Sequence, residues 1–189
     1  MSKVIAFLHV SLDGFVAGPN GEMNWIQISP ELFEFVGRRV SQTDTALYGR
    51  KTFEMMEGYW PTADQQPNAT AHDLQHARWY RQVRKVVISK SMVAAPESNV
   101  QVIGGDLVGE VETLKRSSSH EILLFGSPTA AHSLMAQNLI DGYWLFVNPI
   151  LLGRGVPIFQ NIGVTTGLRL LDTMKLDSGV IALNYERSG

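Results

Sequence analysis

Short apolar runs alternate with amphipathic segments along most of this chain. Two segments place apolar residues at helical spacing, residues 30–40 and 128–138. Six apolar runs bounded by turn residues predict β-strands, at residues 4–10, 45–48, 85–89, 100–103, 121–125 and 143–147. This alternation is typical of βα units around a parallel sheet. We therefore expect an α/β fold.

The end of the chain has a different pattern. Segments 168–176 and 180–186 flank the turn Asp177-Ser178-Gly179, which predicts an antiparallel hairpin and hence a mixed sheet. A length of 189 residues with 44% hydrophobic content suits one domain over residues 1–189. The polar stretch 61–71 is interpreted as a surface loop of that domain, because apolar segments continue on both sides.

Composition narrows the class of protein. Charged residues make up 18% of the chain and the net charge is -2, so neither nucleic acid nor a membrane surface is an expected partner. No run approaches the roughly 18 apolar residues of a membrane span. The absence of cysteine excludes disulfides, thiolate zinc sites and cysteine nucleophiles, and fits a reducing compartment, with the cytoplasm as the expectation.

The first candidate binding site is a glycine between a strand and a helix. Gly49 permits a tight turn, and the free amides of the helix start at Arg50, Lys51 and Thr52 suit a pyrophosphate. A short glycine motif is a weak signal, so an ordinary turn beside solvated cations explains it equally well.

The second candidate is Ser89-Lys90-Ser91, where two hydroxyls surround a lysine at a strand end. An ammonium group and hydroxyl donors suit a phosphate monoester. On a dinucleotide the natural target is the ribose 2′-phosphate, which would select NADPH over NADH. The alternative is a plain strand end at the surface.

The third candidate runs from a buried strand into the next helix. Ser127 is a plausible N-cap and Pro128 a plausible first helical residue, so helix initiation explains the segment by itself. Gly126 after Phe125 also lets a ligand approach the backbone, and Thr129 offers a donor. Three such segments at carboxyl ends of strands together favour a ligand at the topological switch point of an open α/β sheet.

Five segments in this order carry a resemblance to dihydrofolate-reductase-like proteins: SLDGFVAG (11–18), GRKTFE (49–54), VVISKS (86–91), LID (139–141) and PILLGRGVPIF (149–159). The chain most resembles stand-alone relatives of the RibD C-terminal domain, the reductase of riboflavin biosynthesis. The resemblance implies a three-layer α/β/α fold, NADPH as hydride donor and commonly a homodimer.

By this resemblance, Ala17 and Gly18 lie beside the nicotinamide. The segment from Gly49 to Thr52 meets the pyrophosphate, and Ser89 to Ser91 meet the adenosine 2′-phosphate. The segment from Phe125 to Thr129 closes over the dinucleotide. The substrate is bordered by Ser11, Asp13 and the loop at Gly153 and Gly155.

The chain also departs from the family pattern. Gly126-Ser127-Pro128 stands where paired glycines are usual, and Gly142 replaces the acidic residue that usually follows Asp141. No His-x-Glu with a cysteine pair is present, so the zinc deaminase part of the bifunctional enzyme is not expected.

Two carboxylates are candidates for the polar and catalytic contact with substrate. Asp13 follows the first strand, although Asp-Gly is also a common turn pair. Glu31 lies roughly where dihydrofolate reductases keep the acid that contacts the pterin ring, although Ser29-Pro30-Glu31 is also an ordinary helix start.

Histidines are weaker candidates. His9 belongs to the first strand, and its side chain either points to the cofactor side of the sheet or is hydrogen-bonded in the core, which is the favoured interpretation. His72 and His76 have i, i+4 spacing, but without a third ligand they are expected to be solvated, and no metal site is predicted.

The leading hypothesis is an NADPH-dependent reductase that resembles 5-amino-6-(5-phosphoribosylamino)uracil reductase, with a small heterocyclic or sugar-bearing substrate. Reduction of dihydrofolate or another pterin is the enzymatic alternative. A non-catalytic module that binds NADPH is the second alternative, from a different functional class.

Overall fold

The computed structural model describes residues 1–95, 98–160 and 162–188. Its strands are β1 (Val4–Ser11), β2 (Phe15–Ala17), β3 (Thr45–Gly49), β4 (Arg84–Ile88), β5 (Val100–Ile103), β6 (Ile122–Phe125), β7 (Gly142–Asn148), β8 (Val156–Pro157), β9 (Leu168–Lys175) and β10 (Ile181–Arg187). Its helices are α1 (Pro30–Val40), α2 (Arg50–Glu57), α3 (Ala71–Gln82), α4 (Leu107–Ser117) and α5 (Pro128–Ala136), with a 3₁₀ helix at Trp60–Gln65.

Eight strands form one mixed sheet in the order β5-β4-β3-β6-β1-β7-β10-β9. The first six strands in that order are parallel, as in the pairs Val4 with Ile122 and Tyr48 with Val87. Strand β10 pairs antiparallel with both β7 and β9. The predicted mixed sheet with a C-terminal hairpin is thus confirmed, and all six predicted parallel strands are present.

Helices cover both faces of the sheet. On one face, buried residues of α1, α2 and α3 such as Leu32, Phe53 and Tyr80 pack with the strand residues Phe7 and Phe146. On the other face, α4 and α5 pack against the alternate side chains of the same strands. Two apolar cores on either side of one sheet give the three-layer α/β/α fold that the resemblance implies.

Local chemistry explains where helices begin. The Ser29 hydroxyl accepts from Leu32 N at 3.1 Å and Pro30 opens α1, as the sequence predicts. Thr70 and Asp73 form a capping box at the start of α3. Helix α4 was not predicted, although Leu107, Val111 and Leu114 recur at helical spacing and pack in one core. No helix in the described ranges is long and apolar enough to cross a membrane.

The segment predicted as a surface loop, 61–71, is partly helical. It contains most of the 3₁₀ helix and ends at the start of α3, and Ala63 within it is fully buried. Arg81 of α3 holds it by donating to the Pro61 carbonyl at 2.9 Å and to Asp64 at 2.7 and 3.0 Å. This tertiary contact has no signal in the local sequence.

A second, two-stranded sheet pairs β2 with β8. The close approach requires Gly155, whose φ is +156° and where an added Cβ would overlap the carbonyl oxygen of Ala17. This small sheet brings the loop at 153–155 beside the end of β1.

Candidate cofactor and substrate site

The carboxyl ends of the parallel strands meet at one edge of the sheet. From β3 the chain moves outward through β4 to β5, then returns to place β6 between β3 and β1. Open α/β sheets bind ligands at the strand ends where the chain direction reverses in this way. The three glycine- or serine-containing candidate segments follow β3, β4 and β6.

The start of α2 lies next to the segment after β4. Gly49 is the N-cap of α2 and no described side chain caps the helix there. The Arg50 Nη1 donates to the Ser91 hydroxyl at 3.4 Å, and its Nε lies 3.7 Å from Glu54. Lys51 is exposed, while Thr52 is half-buried. An uncapped helix start with two cations and no acid in its first turn suits an anionic group.

Ser89 shapes the segment after β4. Its hydroxyl accepts from Ser91 N at 3.3 Å and from Met92 N at 3.1 Å, and Lys90 is exposed. The sequence prediction missed Gly104 after β5, where an added Cβ would lie 2.6 Å from the Ser89 carbonyl oxygen. The available signal was the pair Gly104-Gly105 directly after a predicted strand.

The turn after β6 keeps a left-handed backbone at two successive residues. Gly126 has φ +51° and Ser127 has φ +59°. The buried Ser127 hydroxyl donates to the Phe125 carbonyl at 3.0 Å and accepts from Gly49 N at 2.8 Å, so it joins the ends of β6 and β3. Paired glycines adopt this conformation freely. Ser127, which stands in place of one of these glycines, adopts the same left-handed conformation, so the turn is retained.

Helix α5 begins at the residues that the sequence predicts. Ser127 occupies the N-cap position and Pro128 is the first helical residue. The Ser127 side chain does not cap the helix, because its hydroxyl is bound to the two strand ends instead. Thr129 is exposed, with its carbonyl accepting from the Ser133 hydroxyl.

Asp13 ties the end of β1 to the loop before β8. Its carboxylate accepts from the Ser11 hydroxyl at 2.7 Å, from Leu152 N at 3.1 Å and from Gly153 N at 2.7 Å. The hydrogen bond from Ser11, with those from the two loop amides, holds the pKa of Asp13 below its ordinary value. An ionised Asp13 thus holds the predicted substrate loop in place.

Three other predicted residues, Ala17, Gly18 and Glu31, have different surroundings. Ala17 lines a cavity described below, and the Gly18 amide donates to the Glu22 carbonyl at 2.9 Å. Glu31 faces the C-terminal hairpin, where its carboxylate accepts from Asp177 N at 2.8 Å. Its neighbour Leu32 lines the cavity instead.

A cavity of about 350 Å³ lies beside this edge. Its walls include six of the predicted cofactor residues, Ala17, Thr52, Phe125, Gly126, Ser127 and Pro128. The remaining lining side chains are mostly aliphatic and aromatic, and come from β1, β2, β3, α1, α2, the 3₁₀ helix, α3 and the loop between β2 and α1. Within the described ranges, no Asp, Glu, Lys or Arg lines it.

Three histidines line this cavity, and the positions of His72 and His76 are contrary to the sequence interpretation. His9 lies on the wall rather than in a closed core, stacks on Phe146 with ring centroids 5.0 Å apart, and lies 3.4 Å from the Asn148 amide nitrogen. Burial lowers its pKa to about 4. His72 is half-buried and His76 is 7% exposed, so the prediction of a solvated pair is wrong.

The 3₁₀ helix causes this burial. Its Trp60 ring lies 4.0 Å from the His76 ring, and burial lowers the pKa of His76 to about 3. Burial also lowers the pKa of His72. Both imidazoles are therefore neutral at pH 7. In the described part of the chain, no three His, Asp or Glu side chains are placed to hold a metal ion.

Comparisons with known proteins agree with this architecture. The chain is 29% identical over 190 residues to the uncharacterized protein YyaP of Bacillus subtilis, covering 99% of this chain and 96% of that one. Its fold is similar to that of a protein provisionally assigned to riboflavin biosynthesis from Shewanella sp. PV-4, with a TM-score of 0.74, 21% identity and 99% coverage of both chains.

A dihydrofolate reductase from Enterococcus faecalis, solved in complex with NADP(H), has the same fold at a TM-score of 0.65 and 16% identity, covering 99% of this chain and 97% of that one. The profile of the RibD C-terminal domain matches residues 2–182. This chain therefore belongs to the RibD C-terminal domain family.

Proposed function

We propose that this protein is an NADPH-dependent reductase of a small heterocyclic or sugar-bearing molecule. The observation that carries the proposal is the convergence of the segments after β3, β4 and β6 at one sheet edge, beside a largely apolar cavity. Family membership and the fold of an NADP(H)-binding neighbour support it. Bound there, the cofactor would supply a hydride to the substrate.

The donor groups at this edge fit the parts of such a dinucleotide. The uncapped start of α2 with Arg50 and Lys51 suits the pyrophosphate. Ser89, Lys90 and Ser91, which lie beside Arg50, suit the ribose 2′-phosphate because that group is a dianion needing cations and hydroxyl donors. The left-handed turn at Gly126 and Ser127 leaves backbone close to the cavity.

A nucleotide titration tests the proposal. We expect NADPH to bind at least about tenfold more tightly than NADH, and Lys90→Ala to remove most of that preference, since an ion pair with a phosphate is the discriminating contact. Lys175→Ala is the control, because Lys175 is an exposed lysine at the end of β9. If neither nucleotide binds, the proposal is refuted.

Turnover separates the reductase from a module that only binds NADPH. Oxidation of NADPH is followed with 5-amino-6-(5-phosphoribosylamino)uracil, the substrate suggested by the family, and with dihydrofolate. Binding without oxidation of either would favour the binding module or a different substrate.

The two carboxylates are tested by separate substitutions. For Asp13 we propose that it positions the substrate loop, so Asp13→Asn is expected to raise KM more than it lowers kcat. Glu31→Gln tests direct catalysis: unchanged turnover would exclude Glu31, whose carboxylate is bound to the Asp177 amide.

A further inference from the structure

His9 lies near the carboxyl end of β1, on the wall of the cavity beside the turn after β6. Its strand is joined to that turn by the hydrogen bond from Gly126 N to the Phe7 carbonyl at 3.3 Å. Gly126 and Ala17 line the same cavity. His9 therefore belongs to the part of the wall that includes predicted cofactor residues.

The His9 ring is held on one face and at one nitrogen. Phe146, which is paired with His9 across β1 and β7, stacks on it with ring centroids 5.0 Å apart and 29° between the planes. The side-chain nitrogen of Asn148, a fully buried residue at the end of β7, lies 3.4 Å from His9 Nδ1. Two residues of the neighbouring strand thus position the imidazole.

Asn148 decides which nitrogen of His9 carries hydrogen. Its Oδ1 accepts from Gln27 N at 2.8 Å and its Nδ2 donates to the Phe146 carbonyl at 2.9 Å, so backbone groups on both sides fix the orientation of the amide. Because an amide nitrogen only donates, the His9 Nδ1 that faces it must accept, and the hydrogen of the neutral ring lies on Nε2. Burial lowers the pKa of His9 to about 4, so the ring is neutral at pH 7.

The Nε2–H of His9 is left for a ligand. In the described part of the chain, the hydrogen bonding of this ring is through Nδ1 alone. Other polar groups of the wall are used within the protein: the Ser127 hydroxyl joins two strand ends, and Trp60 Nε1 donates to the Met56 sulfur at 3.0 Å. A positioned neutral donor on the wall suits an oxygen or nitrogen atom of a substrate.

We propose that the Nε2–H of His9 donates a hydrogen bond to the substrate atom that gains electron density during hydride transfer. The inference rests on the proposed function, because it adds a residue to the same site. The reaction stays balanced: a substrate carbon receives the hydride of NADPH with both bonding electrons, NADP⁺ is formed, the neighbouring oxygen or nitrogen takes one proton from water, and His9 keeps its own. Since this hydrogen bond strengthens in the transition state, it acts on kcat more than on KM.

The tautomer of His9 is measured by NMR. Long-range proton–nitrogen spectra of the full chain labelled with ¹⁵N-histidine distinguish the nitrogen that carries hydrogen, and the His9 signals are those missing in His9→Phe. We expect the hydrogen on Nε2 at pH 7, and we expect the Nε2 signal to move when NADP⁺ is added with 5-amino-6-(5-phosphoribosylamino)uracil or dihydrofolate. Hydrogen on Nδ1, or an Nε2 signal that neither mixture moves, would overturn the inference.

Two substitutions separate a donor from a packing residue. His9→Phe keeps a ring against Phe146 without a donor, whereas His9→Gln keeps an N–H donor and loses the ring. With NADPH and whichever of the two compounds is reduced, we expect His9→Phe to lower kcat at least about 100-fold and to change KM less than about threefold. His9→Gln should lower kcat at most about tenfold. A packing role predicts the opposite order.

His120→Phe is the control for these variants. His120 is exposed and lies beside Asp44, before β6, so its replacement should leave kcat and KM unchanged. A kcat for His9→Phe equal to that of this control, or above that of His9→Gln, would refute the donor role.

The two proposals fail in distinguishable ways. If NADPH binds but His9→Phe is as active as His9→Gln, the role of His9 is wrong and the reductase proposal stands. If NADPH binds and neither compound is reduced, the tautomer and the movement of the Nε2 signal decide. If NADPH does not bind, the reductase proposal is wrong, and the role of His9 is wrong with it.

Discussion

The Ser127 hydroxyl links two strand ends while its own backbone is strained. It donates to the Phe125 carbonyl and accepts from the Gly49 amide. Ser127→Ala removes both bonds and leaves a partly buried amide without that partner, which costs about 1–3 kcal/mol. Ser127→Gly loses the same bonds but relieves the left-handed backbone, where φ is +59°. The greater conformational entropy of glycine in the unfolded state offsets part of this relief. Ser127→Gly should therefore be about 0.5–1 kcal/mol more stable than Ser127→Ala.

Urea unfolding followed by tryptophan fluorescence measures these differences. The expected order of unfolding midpoints is wild type, then Ser127→Gly, then Ser127→Ala. The control is Ser133→Ala, an exposed serine on the same helix, which should stay within about 0.5 kcal/mol of wild type. A Ser127→Ala midpoint equal to that of the control would refute the bridging role. A Ser127→Gly midpoint below that of Ser127→Ala would refute the strain argument.

Three further predictions concern pH, close packing and assembly. His76 has a pKa of about 3 when folded and 6.5 as the ordinary value, so the unfolded state binds its proton first as pH falls. Stability should thus fall from pH 6.5 toward 3 by up to about 1.4 kcal/mol per pH unit, and urea unfolding of His76→Gln should show a shallower slope. Gly155→Ala forces a Cβ against the Ala17 carbonyl and should cost about 1–3 kcal/mol of unfolding free energy, whereas Gly163→Ala, with open space around it, should not. We expect a homodimer of twice 20.9 kDa by size-exclusion chromatography with light scattering, because edge strand β9 is exposed, and a monomer mass would contradict this.

Local sequence was sufficient for most of the fold. Helix α1 begins and ends as predicted, because a serine N-cap and a proline mark its start and its apolar spacing marks its buried face. Helix α4 was missed, although Leu107, Val111 and Leu114 recur at helical spacing and pack in one core. Strands β2 and β8 were missed because three- and two-residue strands have no detectable periodicity.

The cofactor half of the candidate site was predictable for a topological reason. Parallel strands joined by crossover helices have their carboxyl ends at one edge, so Gly49, Ser89 and Gly126 meet there once the strands are assigned. The chemistry of Ser127 was not predictable in the same way, because its partners are a strand end on either side rather than its own helix.

By itself, the sequence determined the strand and helix pattern and the polar groups at each strand end, since these depend on residues close together in the chain. Only the tertiary structure decided the character of the cavity beside that edge. Phe33, Trp60 and His76 are distant in sequence, and they meet because the 3₁₀ helix packs on α3, which lies against α1. That packing buries His76 and part of His72 and lowers the pKa of both, which no local pattern indicates.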